Sequence, residues 1–104
     1  MRKAAVMVNG IEAGIFFETE FNKKYEFDYA KDYSGSPVSL TMPIEKNKFL
    51  FDIFPPFFDG LLPEGIQLEA LLRQKKLDRN DYFGQLIAVG RDMVGAVTVE
   101  ERSE

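Results

Sequence analysis

The feature that most limits how this chain can fold is an Asn9-Gly10 pair between two runs rich in β-forming residues. An Asn-Gly pair in that place favours a type I′ turn, because both of its positions accept positive φ angles. The flanking runs are residues 4–8 and 11–18. We therefore predict that the chain opens with an antiparallel β-hairpin.

Side-chain alternation predicts which face of the second hairpin strand is buried. Ile11, Ala13 and Ile15 share one face by the strand period of two, and we expect that face to be buried. The Phe16-Phe17 pair breaks the alternation. It indicates a bulge or a strand that is covered on both faces.

Further β-rich runs follow the hairpin. The segment 25–29 alternates aromatic and acidic residues, which predicts a third strand with the aromatic side chains inward. Residues 38–42 alternate again before Pro43 and predict a fourth strand. The apolar run 49–54 is either a buried strand or an irregular packed segment. Residues 93–99 predict a last strand, followed by an acidic tail at 100–104.

Two helices are predicted between these strands. The first runs from Pro63 or Glu64 to about Lys75, with a stripe of leucines on one side. That stripe consists of Leu61, Leu68, Leu71 and Leu72. The second covers residues 81–88, with Asp78 or Asn80 as its N-cap and Gly90 as its stop.

The order of these elements predicts the fold class. Strands first, two short helices in the C-terminal half and a closing strand are typical of an α+β domain. We expect a mostly antiparallel sheet of about five strands that starts with the hairpin. With 104 residues, the chain fits one domain, residues 1–104, and no composition shift indicates a linker.

Composition excludes much chemistry. The chain has no cysteine and no histidine, so thiolate catalysis, histidine general bases and the usual zinc sites are absent. Asp59 and Glu64 are close enough in sequence to suggest a carboxylate pair, but a turn before Gly60 and a helix first turn explain them better. We expect no catalytic residue, no cofactor and no metal site.

Charge and hydropathy limit the partners and the compartment. The net charge is −4, with the basic residues scattered, so we expect no direct contact with nucleic acid. No apolar run approaches the ~18–20 residues that span a bilayer. Asn9-Gly10 interrupts the N-terminus before a signal-peptide core can form. We therefore expect a cytoplasmic protein that does not bind membranes.

One loop is unusually apolar. Its residues are Phe57-Phe58-Asp59-Gly60-Leu61-Leu62-Pro63-Glu64-Gly65. Connecting segments are normally polar and lie on the surface. Large apolar side chains in such a loop either fold back into the core or meet a partner, and the sequence leaves both possibilities open.

The same loop carries a resemblance to a known family. The run from Phe58 to Gly65, the later Asp81-Tyr82-Phe83, and the segment Val89-Gly90-Arg91-Asp92-Met93-Val94-Gly95-Ala96-Val97 resemble the N-terminal subdomain of HipA-type serine/threonine kinase toxins. Leu40-Thr41-Met42-Pro43 is similar to an L-S-x-P segment of that subdomain, with two substitutions. The resemblance covers nearly the whole chain, but a Gly-rich phosphate loop and a catalytic Asp-Asn pair are missing.

A free-standing subdomain of this kind is similar to the HipS proteins of three-component HipBST toxin–antitoxin systems. The resemblance implies an antitoxin, not an enzyme, that binds and inhibits a short HipT-like kinase near its ATP-binding cleft. It also implies an indirect link to a HipB-like DNA-binding protein. The alternatives are a non-inhibitory structural subunit that completes the kinase fold within a repressor complex, and a domain excised from a longer kinase.

The resemblance also implies a contact region. If the domain docks as the fused subdomain does, the apolar loop faces the nucleotide-side cleft of the kinase, with Ile66 as the probe residue. The expected partner-binding residues are Phe58, Asp59, Leu61, Leu62, Pro63, Glu64, Gly65 and Ile66. In some relatives a bulky aromatic residue follows the Pro-Glu-Gly turn, whereas this chain has isoleucine there.

Overall fold

The computed structural model describes residues 1–93 and 95–102. Its centre is one five-stranded antiparallel sheet with the strand order β4-β3-β2-β1-β5. The strands are β1 (Arg2–Val8), β2 (Ile11–Glu20), β3 (Lys24–Tyr29), β4 (Lys48–Phe51) and β5 (Val97–Arg102). The helices are α1 (Pro56–Asp59), α2 (Gly65–Lys75) and α3 (Tyr82–Val89). The predicted α+β class, with an opening hairpin and short helices in the C-terminal half, is confirmed.

The opening hairpin forms as predicted, but its buried face differs. Asn9 and Gly10 both have positive φ, 53° and 82°, as a type I′ turn requires. Val6 of β1 pairs with Gly14 of β2, but the next residue, Met7, pairs with Glu12. Ala13 therefore has no partner in β1 and forms a bulge. A bulge changes which face the following residues occupy. Ala13 is therefore buried, whereas Ile11 is 63% exposed and Ile15 lies half-buried on the other face from Phe16.

The fourth strand predicted at residues 38–42 is wrong. This segment is a loop with one isolated bridge between Ser39 and Met42. The Tyr29 hydroxyl on β3 fixes it, because it accepts a hydrogen bond from the Val38 N–H at 2.9 Å and donates one to the Met42 carbonyl. Val38 and Met42 are buried on the sheet. The alternating pattern thus reflects a loop that packs on the sheet, not a strand within it.

The later strands also differ in extent from the prediction. The run 49–54 contains a real strand, β4, which ends at Phe51. The last strand begins at Val97, later than predicted, and continues to Arg102, so most of the expected acidic tail pairs with β1. Val94, Ser103 and Glu104, which fall within those two predictions, lie outside the described residues.

Both predicted helices are confirmed, and one helix was not predicted. α2 ends at Lys75, and Lys76, with a left-handed φ of 54°, is its C-cap. α3 ends at Val89, and Gly90 is both its C-cap and the first residue of the 3₁₀ turn Gly90–Asp92. Its N-cap is Asp81, not Asp78 or Asn80, because the Asp81 carboxylate accepts a hydrogen bond from the Gly84 N–H at 3.1 Å. The short α1 starts at Pro56, where a missing N–H is tolerated.

An aromatic cluster holds the helices on one face of the sheet. The Phe16 ring from β2 stacks on Phe58 from α1, with centroids 4.4 Å apart, and on Phe83 from α3 at 5.3 Å. All three side chains are fully buried. Such ring pairs add to the free energy gained from apolar burial. The cluster therefore fixes α3 and also α1, which contains the first residues of the apolar loop.

An ion network fixes the start of α3 against the sheet. The Arg2 guanidinium donates to both carboxylate oxygens of Glu18, at 2.7 and 2.9 Å, and to those of Asp81, at 2.8 and 3.2 Å. Hydrogen bonding to Glu18 raises the pKa of Arg2. Burial opposes ionisation of Asp81, but the hydrogen bonds from Arg2 and Gly84 lower its pKa overall. One side chain thereby joins β1, β2 and α3.

Candidate functional site

The apolar loop divides into a buried part and an exposed part. Phe58 is fully buried and Leu62 is 9% exposed, so both belong to the core. Leu61 and Pro63 are half-buried. The remaining residues of the predicted contact region, which are Asp59, Glu64, Gly65 and Ile66, are exposed. We call residues 60–66 the tip.

Backbone hydrogen bonds give the tip a defined shape. The Gly60 N–H donates to the Pro56 carbonyl at 3.0 Å, which completes the turn of α1. The Leu61 and Leu62 N–H groups then donate to the Phe58 and Asp59 carbonyls at 3.0 and 3.1 Å. With Leu62 packed in the core, these turns anchor the chain immediately before its exposed residues. The exposed residues of the tip therefore follow a segment that is fixed to the core.

The exposed end of the tip is the start of α2. Gly65 has a φ of 58°, a left-handed conformation that favours glycine. Glu64 is the N-cap residue, and its side chain makes no capping hydrogen bond. Ile66 follows and is 88% exposed. A large apolar side chain thus projects into solvent at the positive end of a helix dipole.

Helix α2 is loosely attached to the rest of the molecule. None of its residues is buried. Leu68, Leu71 and Leu72, the predicted leucine stripe, are only half-buried. An exposed ion pair between Glu69 of α2 and Arg79, at 2.6 Å, connects the helix to the segment before α3. The three leucine side chains are therefore covered only in part by the rest of the protein.

A groove of about 430 Å³ lies on one side of the tip. The tip contributes Leu62, Pro63 and Glu64, α2 contributes Leu68, and α3 contributes Tyr82. Its floor includes Gln85, a buried side chain whose Nε2 donates to the Arg79 carbonyl at 2.9 Å and to the Asp78 carbonyl at 3.3 Å. These bonds hold the wall that Arg79 and Asn80 form.

A second groove, of about 360 Å³, lies on the other side of the tip. The tip contributes Leu61 and Pro63 to its lining, and α2 contributes Gln67. Val89, the last residue of α3, and Met93 complete it. The two grooves leave Pro63 and the start of α2 as a ridge between them. An apolar ridge between shallow grooves suits contact with another protein surface better than enclosure of a small molecule.

Two carboxylates lie within the predicted contact region. Asp59 and Glu64 are both exposed. Among residues 1–93 and 95–102, no group of three or more acidic side chains is arranged to hold a metal ion. Within the same residues no helix is long and apolar enough to cross a membrane.

Sequence reasoning missed the residues that flank the tip. Tyr82, Val89 and Met93 lie about 20 to 30 positions beyond it, and they reach it only because α3 packs beside α1 and α2. No local pattern marks them. The Asp81-Tyr82-Phe83 motif was a clue, because Phe83 enters the core and leaves Tyr82 at the rim of the groove.

Comparison with known proteins identifies the family of the chain. A family model described as the HipA N-terminal domain matches residues 4–100. An uncharacterised protein of Haemophilus influenzae is 33% identical over 104 residues, which are 100% of this chain and 96% of that protein. A solved structure, the N-terminal domain of HipA toxin, superposes with a TM-score of 0.77 at 29% identity and covers 100% of this chain and 95% of that one. The chain therefore belongs to the HipA N-terminal domain family.

Proposed function

We propose that this protein is a HipS-like antitoxin that binds a short HipA-type serine/threonine kinase and inhibits it near the ATP-binding cleft. The observation that carries the proposal is the match of residues 4–100 to the HipA N-terminal domain. The match to the Haemophilus influenzae relative extends over 96% of that protein. A separate domain of this family has a natural partner in a kinase that lacks it.

The tip supports a binding role. Ile66 is 88% exposed, and an isolated apolar side chain of that size gains free energy when a partner covers it. Because Phe58 and Leu62 anchor the tip in the core, little ordering is needed on binding. We infer that Pro63, Glu64 and Ile66 contact the kinase, while Phe58 and Leu62 hold them in position.

We propose that the protein acts by binding and carries out no reaction of its own. The chain has no histidine or cysteine, and the carboxylates of Asp59 and Glu64 are exposed to solvent. We also propose that it works in the cytoplasm with its kinase, and that a HipB-like DNA-binding protein joins the assembly through the kinase.

The deciding experiment measures ATP binding and autophosphorylation of the matching short kinase, with and without an equimolar amount of this protein. Loss of either on addition supports an inhibitor that acts at the cleft. Tight binding with full activity would instead make the protein a structural subunit. Absence of binding would refute the proposal.

A matched pair of variants tests the tip. Ile66→Asp places a charge at the centre of the proposed contact and should weaken kinase binding at least tenfold. Ile11→Asp makes the same change at an isoleucine that is 63% exposed on the opening hairpin, and it should leave the dissociation constant within twofold. Equal dissociation constants for both variants would remove the tip from the interface. Leu62→Ala is unsuitable, because Leu62 is buried and its truncation destabilises the fold.

A further inference from the structure

The free edge of the sheet is defined by β4. β4 is the last strand in the order, and it pairs with β3 on one side only. The Tyr29 N–H donates to the Asn47 carbonyl at 2.8 Å. In an antiparallel ladder the hydrogen-bonded pairs alternate, so Phe49 and Phe51 also direct their backbone groups toward β3. The N–H and C=O groups of Lys48 and Leu50 therefore point to the open edge.

The opposite edge of the sheet is covered. The Asn9 N–H donates to the Ala96 carbonyl at 2.8 Å, and the same alternation directs the backbone groups of Val97 and Val99 outward. Gly90 lies directly against Val99, so closely that a Cβ at Gly90 would sit 2.1 Å from the Val99 carbonyl oxygen. Arg91 also pairs with Glu100 on β5 at 3.0 Å. The 3₁₀ turn after α3 thus shields this edge.

The side chains along the β4 edge are unusual for an exposed edge. Leu50 is 74% exposed and Ile53, just beyond the strand, is 67% exposed. Natural edge strands are usually protected by charges, prolines, bulges or shortness, and β4 has four residues. Lys48 is a charge at this edge, but its ammonium already contacts the Glu26 carboxylate of β3 at 3.6 Å. An exposed leucine between outward backbone groups leaves this edge available to another strand.

We propose that the β4 edge binds an extended strand of the same kinase that contacts the tip, and that this strand extends the sheet to six strands. The proposal rests on the proposed function. An extended segment is the occupant that satisfies both the donors and the acceptors of a strand edge. It would place an apolar side chain beside Leu50 and a polar or acidic one beside Lys48.

The length of the edge favours the kinase over a second copy of this chain. Four strand residues span about 13 Å, which is too short to bury the roughly 800 Å² per partner that a stable interface needs. The added strand must therefore come from a molecule that is also held elsewhere. The tip provides that second contact, and residues 52–59 connect it to β4.

A matched pair of substitutions separates the backbone from the side chain. Leu50→Pro removes an N–H that points away from β3, so it blocks strand addition without breaking the existing ladder. Leu50→Thr removes the leucine side chain but keeps the N–H. We expect Leu50→Pro to weaken binding to the short kinase at least tenfold more than Leu50→Thr does. Circular dichroism and thermal melts of both variants check that each is folded.

Hydrogen exchange tests the same contact without a mutation. In the complex of the wild-type protein with the short kinase, the Lys48 and Leu50 amides should become at least tenfold more protected than in the free protein. The amides of Val97 and Val99, on the covered edge, should change little. This measurement uses only the wild-type protein, so it tests the contact even if Leu50→Pro does not fold.

Three outcomes overturn the proposal, and they differ from failure of the proposed function. Unchanged protection of Lys48 and Leu50 in a formed complex, or equal binding by folded Leu50→Pro and Leu50→Thr, excludes strand addition by the kinase. A dimer of the free protein in sedimentation that Leu50→Pro abolishes assigns the edge to self-association instead. If the wild-type protein binds no kinase, the proposed function itself fails.

Discussion

Leu62 and Ile66 are apolar residues four positions apart, and they occupy opposite environments. Leu62 is 9% exposed and packs in the core, whereas Ile66 projects from the start of α2. The difference arises because the turns of residues 60–62 direct Leu62 inward, while Gly65 reverses the backbone before Ile66. At the scale of single residues, the tip therefore contributes one side chain to the core and another to the surface.

Asp28 is a second residue whose environment sets its behaviour. It lies on the face of the sheet opposite the helices, next to Glu26 on the same strand and across from Lys48 on β4. Its Oδ1 atom is buried and has no hydrogen-bond partner among residues 1–93 and 95–102. Burial first, then hydrogen bonding and charge repulsion from Glu26, raise the pKa of Asp28 to about 6, although Lys48 acts in the opposite direction.

The raised pKa predicts that mild acid stabilises the fold through Asp28. The folded protein holds this proton more tightly than the unfolded chain, whose value is 3.8, so the contribution is complete below pH 3.8 and is lost as the pH rises through about 6. The full shift corresponds to about 3 kcal/mol, and the gain is well below that figure because the carboxyl stays partly solvated. Urea unfolding of the wild type and Asp28→Asn from pH 4 to 7 measures it. Parallel pH profiles for the two proteins would contradict the assignment.

At the scale of elements, α3 is positioned by contacts that its own sequence does not contain. Asp81 caps the helix and also receives the Arg2 guanidinium from β1. Arg2 is held in turn by Glu18, whose side chain is only 2% accessible. Because α3 forms a wall of both grooves, this network sets the geometry beside the tip.

The network predicts a strongly coupled pair of substitutions. Arg2→Met leaves the buried Glu18 carboxylate without its cation and should cost about 3–5 kcal/mol in the free energy of unfolding. Adding Glu18→Met removes that buried charge and should restore most of the loss. Arg102→Met breaks the exposed Arg102–Glu12 pair at 2.6 Å and should cost no more than about 1 kcal/mol. Additive effects at Arg2 and Glu18 in urea titrations would rule out the coupling.

At the scale of the whole molecule, stability is unevenly distributed. The sheet, α1 and α3 share one aromatic core, in which Phe16, Phe58 and Phe83 are fully buried. Helix α2 contributes no buried residue. Local opening is easiest where few apolar contacts are lost. The helix that starts at the tip is therefore the part of the molecule most able to adjust to a partner.

Native-state hydrogen exchange should reveal this difference in the free protein. We expect the amides of residues 69–75 in α2 to exchange through local opening, at a free energy several-fold below that of the core amides in β1 and β2. The core amides should exchange only by global unfolding. If α2 amides were protected as strongly as those of Phe16 and Phe27, α2 would be part of the cooperative core.

The sequence by itself determined the opening hairpin, the α+β class, and the positions of α2 and α3, because these depend on local signals: the Asn9-Gly10 turn, side-chain periodicity and the Gly90 stop. The whole-chain resemblance also pointed correctly to the family. The Phe16-Phe17 pair raised the possibility of a bulge, but the sequence could not place it at Ala13, because a single extra residue leaves no local mark where it is inserted. It also mistook residues 38–42 for a strand, since a loop fixed by the Tyr29 hydroxyl shows the same alternation.

The tertiary structure alone decided which parts of the candidate site meet solvent. Whether Leu62 or Ile66 is exposed depends on how α1, the tip and α3 pack. The same packing brings Tyr82 and Met93 beside the tip. It also joins Arg2 to Asp81, 79 positions away in the chain. The same holds for the free β4 edge and the covered β5 edge. Local propensity fixes the elements, but burial and edge exposure arise only when distant elements pack together.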